Sequence, residues 1–201
     1  MSSQRHSADS GISSDPVLVA ARACILDVGL RRTTIADIAR RAGLSRMTVY
    51  RQYGDLSAIV GALLTTELVA LIDVAGAEVS RLTTGRDRLV AAAGLVVERL
   101  AVHPLWCRVL DLDPELLLPL VVDRFGGTQK AAIEVVAEQV RQGQADGSVR
   151  DGDPDLLATC LLLTAQSFVF SARIIAADHK QEHTSRELQR LLDGYLREVP
   201  A

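Results

Sequence analysis

Residues 33–55 read TTIADIARRAGLSRMTVYRQYGD. Ile35, Ile38, Ala39, Ala42, Leu44 and Val49 fall where two short helices would close on each other through apolar or small side chains. Ala39 lets the two axes approach, and Gly43 supplies a backbone position where positive φ carries no steric cost. Thr33 or Thr34 can cap the first helix, with Asp37 completing an approximate capping box from Thr34. Ser45 caps the second helix by accepting from the backbone N–H near Thr48. Alanine, glycine, apolar residues and flanking arginines at this spacing make a helix-turn-helix.

The second helix, about residues 45–52, is about 12 Å long and matches a DNA major groove about 12 Å wide. If Val49 points inward, residues two positions away lie about 200° round the helix, on its far side. Met47 and Arg51 then face outward, with Thr48 and Tyr50 on the shoulders. Arg51 suits a guanine or a phosphate, Met47 a thymine methyl, and Thr48 and Tyr50 phosphates. Arg46 lies in the first turn, where its charge opposes the helix dipole and a phosphate would offset the penalty. Tyr53 returns to within about 40° of Val49 and reads mainly as a packing aromatic. The candidate DNA-binding set is therefore Thr33, Thr34, Ser45, Arg46, Met47, Thr48, Tyr50, Arg51 and Tyr53.

From Asp15 to about Leu64 the chain resembles the TetR family of transcriptional regulators. The residues that carry the resemblance are Thr33-Thr34, Ile38-Ala39, Ala42-Gly43-Leu44-Ser45, Thr48-Val49-Tyr50 and Tyr53. The resemblance implies one helix before the motif, here Pro16–Val28, and a long one after it, from near Asp55. It also implies a phosphate-touching lysine two residues into that long helix, where this chain has Leu56. The stretches HPLWCRVLDLDPE (103–115) and GQADGSVRDGDPDLLA (143–158) resemble some members as well.

Composition is consistent with an all-α chain: apolar residues make up 48%, aromatics only 3%, and strand-favouring runs are missing. The net charge of −3 is unevenly spread. Residues 15–56 hold seven arginines against four aspartates, or +3, while residues 57–201 hold 14 basic and 20 acidic residues, or −6. A basic amino-terminal unit on an acidic body suits DNA contact at one end. Cys24, Cys107 and Cys160 are far apart in apolar helical contexts, as expected of reduced thiols in a cytoplasmic protein. Residues 1–14 read as a disordered polar arm whose Arg5 and His6 could brush DNA. The uncharged stretch Leu156–Ala172 is shorter than the ~20 residues of a membrane span and reads as a buried helix.

Punctuation by Pro, Gly and Asp gives about nine helices, divided into a helix-turn-helix domain at 15–60 and a helical ligand-binding and dimerisation domain at 61–201. The seventh helix opens at Asp113-Pro114 and runs to about Gln142, with breaks possible at Pro119 and Gly126-Gly127. DHKQEHTS (178–185) reads as a connector before a last helix at about Ser185–Glu198. The eighth helix is apolar on nearly every side, so it must be buried on nearly every side, either inside one subunit or between two. The candidate dimer surface comprises Leu156, Cys160, Leu163, Phe168, Leu188, Leu192 and Tyr195. The resemblance implies a homodimer on a roughly palindromic operator, with reading heads ~34–36 Å apart.

It also implies a small-molecule effector in the carboxy-terminal domain, which must prefer one of two conformations to regulate anything. Candidate walls from the fifth to eighth helices are Trp106, Cys107, Leu110, Leu117, Val121, Phe125, Gln166 and Phe170, the alternative for each being plain core filling. Gln166, polar in an apolar helix, suits a specificity contact or a contact across the dimer. His103 with Cys107 reads as a helix-start cap, and His179 with His183 lacks a third ligand, so neither metal nor cofactor is expected. No nucleophile elbow, phosphate loop or HExxH motif supports an enzyme. The expected function is a ligand-responsive, DNA-binding regulator, most simply a repressor released by an apolar molecule. The alternatives are an activator of the same family or a helical small-molecule-binding dimer that does not bind DNA.

Overall fold

The computed structural model describes residues 14–112, 127–178 and 181–198. Among them are nine helices and no strand: α1 (Pro16–Val28), α2 (Ile35–Ala42), α3 (Arg46–Tyr53), α4 (Leu56–Val79), α5 (Gly85–Val102), α6 (Pro104–Leu112), α7 (Gly127–Ala145), α8 (Pro154–Asp178) and α9 (Gln181–Leu196).

Caps start these helices where the sequence places them. Asp15 Oδ1 accepts from Val17 N at 2.7 Å, with Pro16 filling a position that needs no donor. Thr34 Oγ1 accepts from Asp37 N at 3.2 Å and donates to Asp37 Oδ2 at 2.6 Å. Gly43 closes α2 in the left-handed region at φ 69°, and Leu44 N then reaches back to Ala39 O at 2.9 Å. Ser45, Asp55 and Thr84 cap α3, α4 and α5 in the same manner.

The first three helices form a small head. α1 packs on α2, α4 and α6, while α3 leans on α2 and α4 through the fully buried Val49. In the body, α5 is the central rod and touches α4, α6, α7, α8 and α9. Glycines permit the closest of these approaches. A methyl on Gly85 would overlap the backbone of Gly143 in α7, and one on Gly94 would overlap Gln189 in α9. The turn after α7 fastens the start of α5: Asp146 Oδ2 accepts from Gly85 N at 2.7 Å and Ser148 Oγ from Arg86 N at 3.0 Å. The GQADGS stretch is thus a structural clasp as well as a turn. The buried apolar cluster runs unbroken from α1 to α9, and the expected domain boundary at residue 60 falls inside the continuous α4.

One expectation changes. The connector at 178–185 is largely helical, because α9 begins at Gln181 and buries Ser185 one turn later. The expected opening of the seventh helix at Asp113-Pro114 lies outside the described residues, and its described part begins at Gly127. By length and composition alone, α4 and Pro154–Ala172 could each cross a membrane. In this fold each puts part of its apolar surface into the bundle, through residues such as Ile59, Leu63 and Leu68 in the first and Leu157, Leu161 and Val169 in the second.

Candidate nucleic-acid interface and effector cavity

The face of α3 opposite Val49 is open. Met47 is 75% exposed and Tyr50 47%, and Arg46 and Arg51 are exposed without an ion pair among the described residues. Thr48 is half-buried, its hydroxyl 2.9 Å from that of Ser45, whose Oγ also accepts from Thr48 N at 3.1 Å. Ser45 therefore acts first on its own helix. Thr34, exposed at the start of α2, has its hydroxyl committed to Asp37.

Two residues of the candidate DNA-binding set turn inward, Tyr53 in line with its phase beside Val49 on α3. Thr33 is buried, and its hydroxyl donates to Gly29 O at 2.8 Å, closing the α1–α2 turn. Tyr53 is half-buried and donates to Asp15 Oδ2 at 2.6 Å. Burial, then the bond to Asp15, pushes its hydroxyl up to about 12. Gln52 Nε2 joins the same carboxylate at 2.7 Å, so Asp15 ties the end of α3 to the start of α1. Arg32, exposed in the α1–α2 turn and without an ion pair among the described residues, is a cation that the motif alone did not single out. Leu56, at the position where the resemblance implies lysine, is half-buried against the core.

A cavity of about 1070 Å³ lies within the body. It is lined from α4, α5, α7 and α8, with Trp106 from α6 and the last turns of α9. Trp106, Gln166 and Phe170 line it as expected of wall residues. Cys107 is not among the lining residues; its thiol donates to Ala101 O at 3.2 Å. The Leu110 side chain, Leu117, Val121 and Phe125 lie outside the described residues. The sequence reading missed α4, whose cavity face includes Gly61, Ala62, Thr65 and Gly76. Small residues facing a void give no apolar stripe to find.

Between head and cavity sits a buried charge cluster. Glu67 of α4 accepts from Arg22 Nε of α1 at 2.8 Å and stands 3.2 Å from His103 Nε2, at the junction of α5 and α6. Burial raises the Glu67 carboxyl, but the His103 hydrogen bond and the Arg22 charge outweigh it, leaving the group below its ordinary value. His103 does begin α6, its carbonyl accepting from Cys107 N at 2.9 Å. Burial pushes the Cys24 thiol up despite the nearby Arg41, which fits an inert core thiol.

The expected dimer surface divides in two. Leu156 and Leu163 on α8 are exposed, and Cys160, Phe168 and Tyr195 are half-buried. Leu188 and Leu192 are 0% and 2% exposed, because α9 turns them onto α5 and α8; the outward leucine of α9 is Leu191. His183 is exposed on the first turn of α9, and His179 lies outside the described residues.

Residues 17–63 match the family profile described as bacterial regulatory proteins, tetR family. Over 180 residues the chain is 38% identical to an uncharacterised HTH-type transcriptional regulator of Mycobacterium bovis, covering 90% of this chain and 92% of that protein. Among solved structures it is similar to the transcriptional repressor QsdR of R. erythropolis, with TM-score 0.70 and 18% identity over 92% of this chain and 96% of that one. It is also similar to the regulator FadR of Bacillus subtilis in complex with stearoyl-CoA, with TM-score 0.60 and 16% identity over 90% and 98% of the two chains. These two likenesses are of fold.

Proposed function

The chain belongs to the TetR family of bacterial regulatory proteins and is a transcriptional regulator rather than an enzyme; on that premise we propose that it is a homodimeric repressor, released from a roughly palindromic operator by a small apolar effector. The observation that carries the reading is the exposed face of α3. Met47, Tyr50 and Arg51 stand out from a helix held by Val49 on one side and capped by Ser45 at its start. Arg51 reads a base or a phosphate, and Arg46, Thr48, Tyr50 and Arg32 face the backbone. Thr34 and Ser45 fix the two helix starts.

Residues 15–60 act as the reading head and 61–201 as the effector and dimer unit, with α4 shared between them. The partner subunit docks on the outer face of α8, where Leu156, Leu163 and Phe170 recur at seven-residue intervals and are all exposed. Phe170 also lines the cavity, so occupancy and subunit packing meet at one side chain. The 1070 Å³ cavity supports the effector part of the reading, as does the acyl-CoA complex of the similarly folded FadR.

The test is to incubate the purified protein with sheared genomic DNA at ~0.15 M salt, where weak phosphate-only contacts are screened, and to sequence what it retains. Enrichment of a few palindromic sites is the expected outcome. Uniform recovery would remove the repressor reading in favour of a small-molecule-binding dimer.

A further inference from the structure

The chemistry of the cavity wall goes beyond "apolar" and specifies the kind of molecule it takes; this rests on the cavity being the effector site. The lining follows α4 from Ser57 to Ser80, a length of roughly 35 Å at the helical rise per residue. A volume of about 1070 Å³ set along a helix of that length suits an elongated molecule. Apart from Trp106 and Phe170, the apolar wall among the described residues is aliphatic.

Charge narrows the class. Among the described lining residues the charged side chains are Asp73 and Arg88. Arg88 is engaged: it donates to the Leu82 and Thr83 carbonyls at 3.0 and 3.3 Å and stands 3.9 Å from Asp146. A carboxylate or phosphate out of reach of Arg88 would meet no counter-charge among these residues, and an unpaired buried anion is strongly disfavoured. The Thr65 and Thr66 hydroxyls donate to the Gly61 and Ala62 carbonyls of their own helix.

Besides Gln139 and Gln142, of which Gln142 donates to Glu138 at 3.3 Å, the wall carries a more buried amide pair. Gln129 is 8% exposed and donates Nε2 to Oε1 of Gln166 at 3.3 Å. That bond fixes which way the Gln166 amide points. Its own Nε2 makes no hydrogen bond among the described residues, while the side chain lines the cavity. A donor in an aliphatic wall asks for an acceptor. We infer that the cavity binds a neutral, long-chain aliphatic molecule laid along α4, whose single carbonyl-type oxygen accepts from the Gln166 amide.

Trp106 is the chain's single tryptophan, and it lines the cavity, so its emission reports occupancy without a label. The protein is titrated with methyl hexadecanoate, methyl octanoate, hexadecanoate and hexadecane. Methyl hexadecanoate is expected to saturate the emission change at least tenfold more tightly than the octanoate ester, since each further buried methylene adds affinity. It is expected to bind at least tenfold more tightly than the hexadecanoate anion. Gln166→Leu is expected to weaken the ester about two- to tenfold and to leave hexadecane unchanged. Gln166→Asn, which retracts the amide and keeps it polar, should shift the ester in the same direction if the leucine variant melts early.

Equal binding of ester and anion, equal binding of long and short esters, or no saturable response to any of the four would overturn the inference. Variants that leave the ester's advantage over hexadecane untouched would overturn the role of Gln166. The regulator reading fails separately: a protein that retains specific DNA and ignores all four probes keeps its function and loses this ligand class. Saturable ester binding by a protein that retains no operator would do the reverse.

Discussion

Glu67 shows how a single side chain gains weight from where the chain folds it. Its carboxylate is buried between Arg22 of the head and His103 of the body, and its proton affinity is held below the ordinary range. A carboxylate depressed in the folded state contributes stability above its unfolded pKa of about 4.3. That contribution is lost as pH falls through the folded value. Replacing it by the isosteric amide should cost about 1–3 kcal/mol at pH 7, and the cost should shrink on acidification below about pH 4. Urea denaturation of wild type and Glu67→Gln at both pH values checks this; an undiminished difference in acid would show that the charge is not the cause. Arg51 is the parallel case on the DNA side. If it reads a base, Arg51→Ala should cost about 1–3 kcal/mol of operator affinity and relax preference at one position. A smaller, uniform loss across sequences in a gel-shift series would assign it to phosphate.

At the scale of elements, two glycines of similar appearance in the sequence have unlike roles. Gly43 ends α2 at φ 69°, with open space where a Cβ would go, so Gly43→Ala carries only a conformational cost of about 1 kcal/mol. Gly85 lies at the start of α5 with negative φ, where a methyl would overlap the Gly143 backbone of α7. Two backbones cannot rotate apart as a side chain can, so Gly85→Ala should cost more, about 1–3 kcal/mol. Ranking the two variants by urea midpoint tests the distinction, and the reverse order would mean that α7 can slide. The α7–α8 turn opposes such sliding, because Asp146 and Ser148 also bond the first amides of α5.

At the scale of the whole molecule, the proposed dimer rests on the exposed stripe Leu156, Leu163 and Phe170. Leu163 is 43% exposed in the single chain, so Leu163→Glu should leave helix content and melting nearly unchanged. In the proposed dimer the same change buries a charge without a partner. Sedimentation should therefore show monomers at micromolar protein, with operator binding weakened by loss of the second head; a dimer that persists would move the interface elsewhere. How far the sequence reached follows from what each feature depends on. The head was legible from residues 15–56 alone because its signals are local: caps one turn away, a glycine at a forced φ, and an apolar position opposite the residues left in solvent. Helix starts among the described residues were legible for the same reason, since Asp, Thr and Pro mark them by contacts within a few residues. The inward turn of Thr33 and the bond that anchors Tyr53 depended on partners at Gly29 and Asp15 that the motif does not contain. Which leucines of α9 face inward, the share of α4 in the cavity, and the meeting of Arg22, Glu67 and His103 were settled only by packing. Helical periodicity tells which residues share a face, but only the tertiary structure says what that face meets.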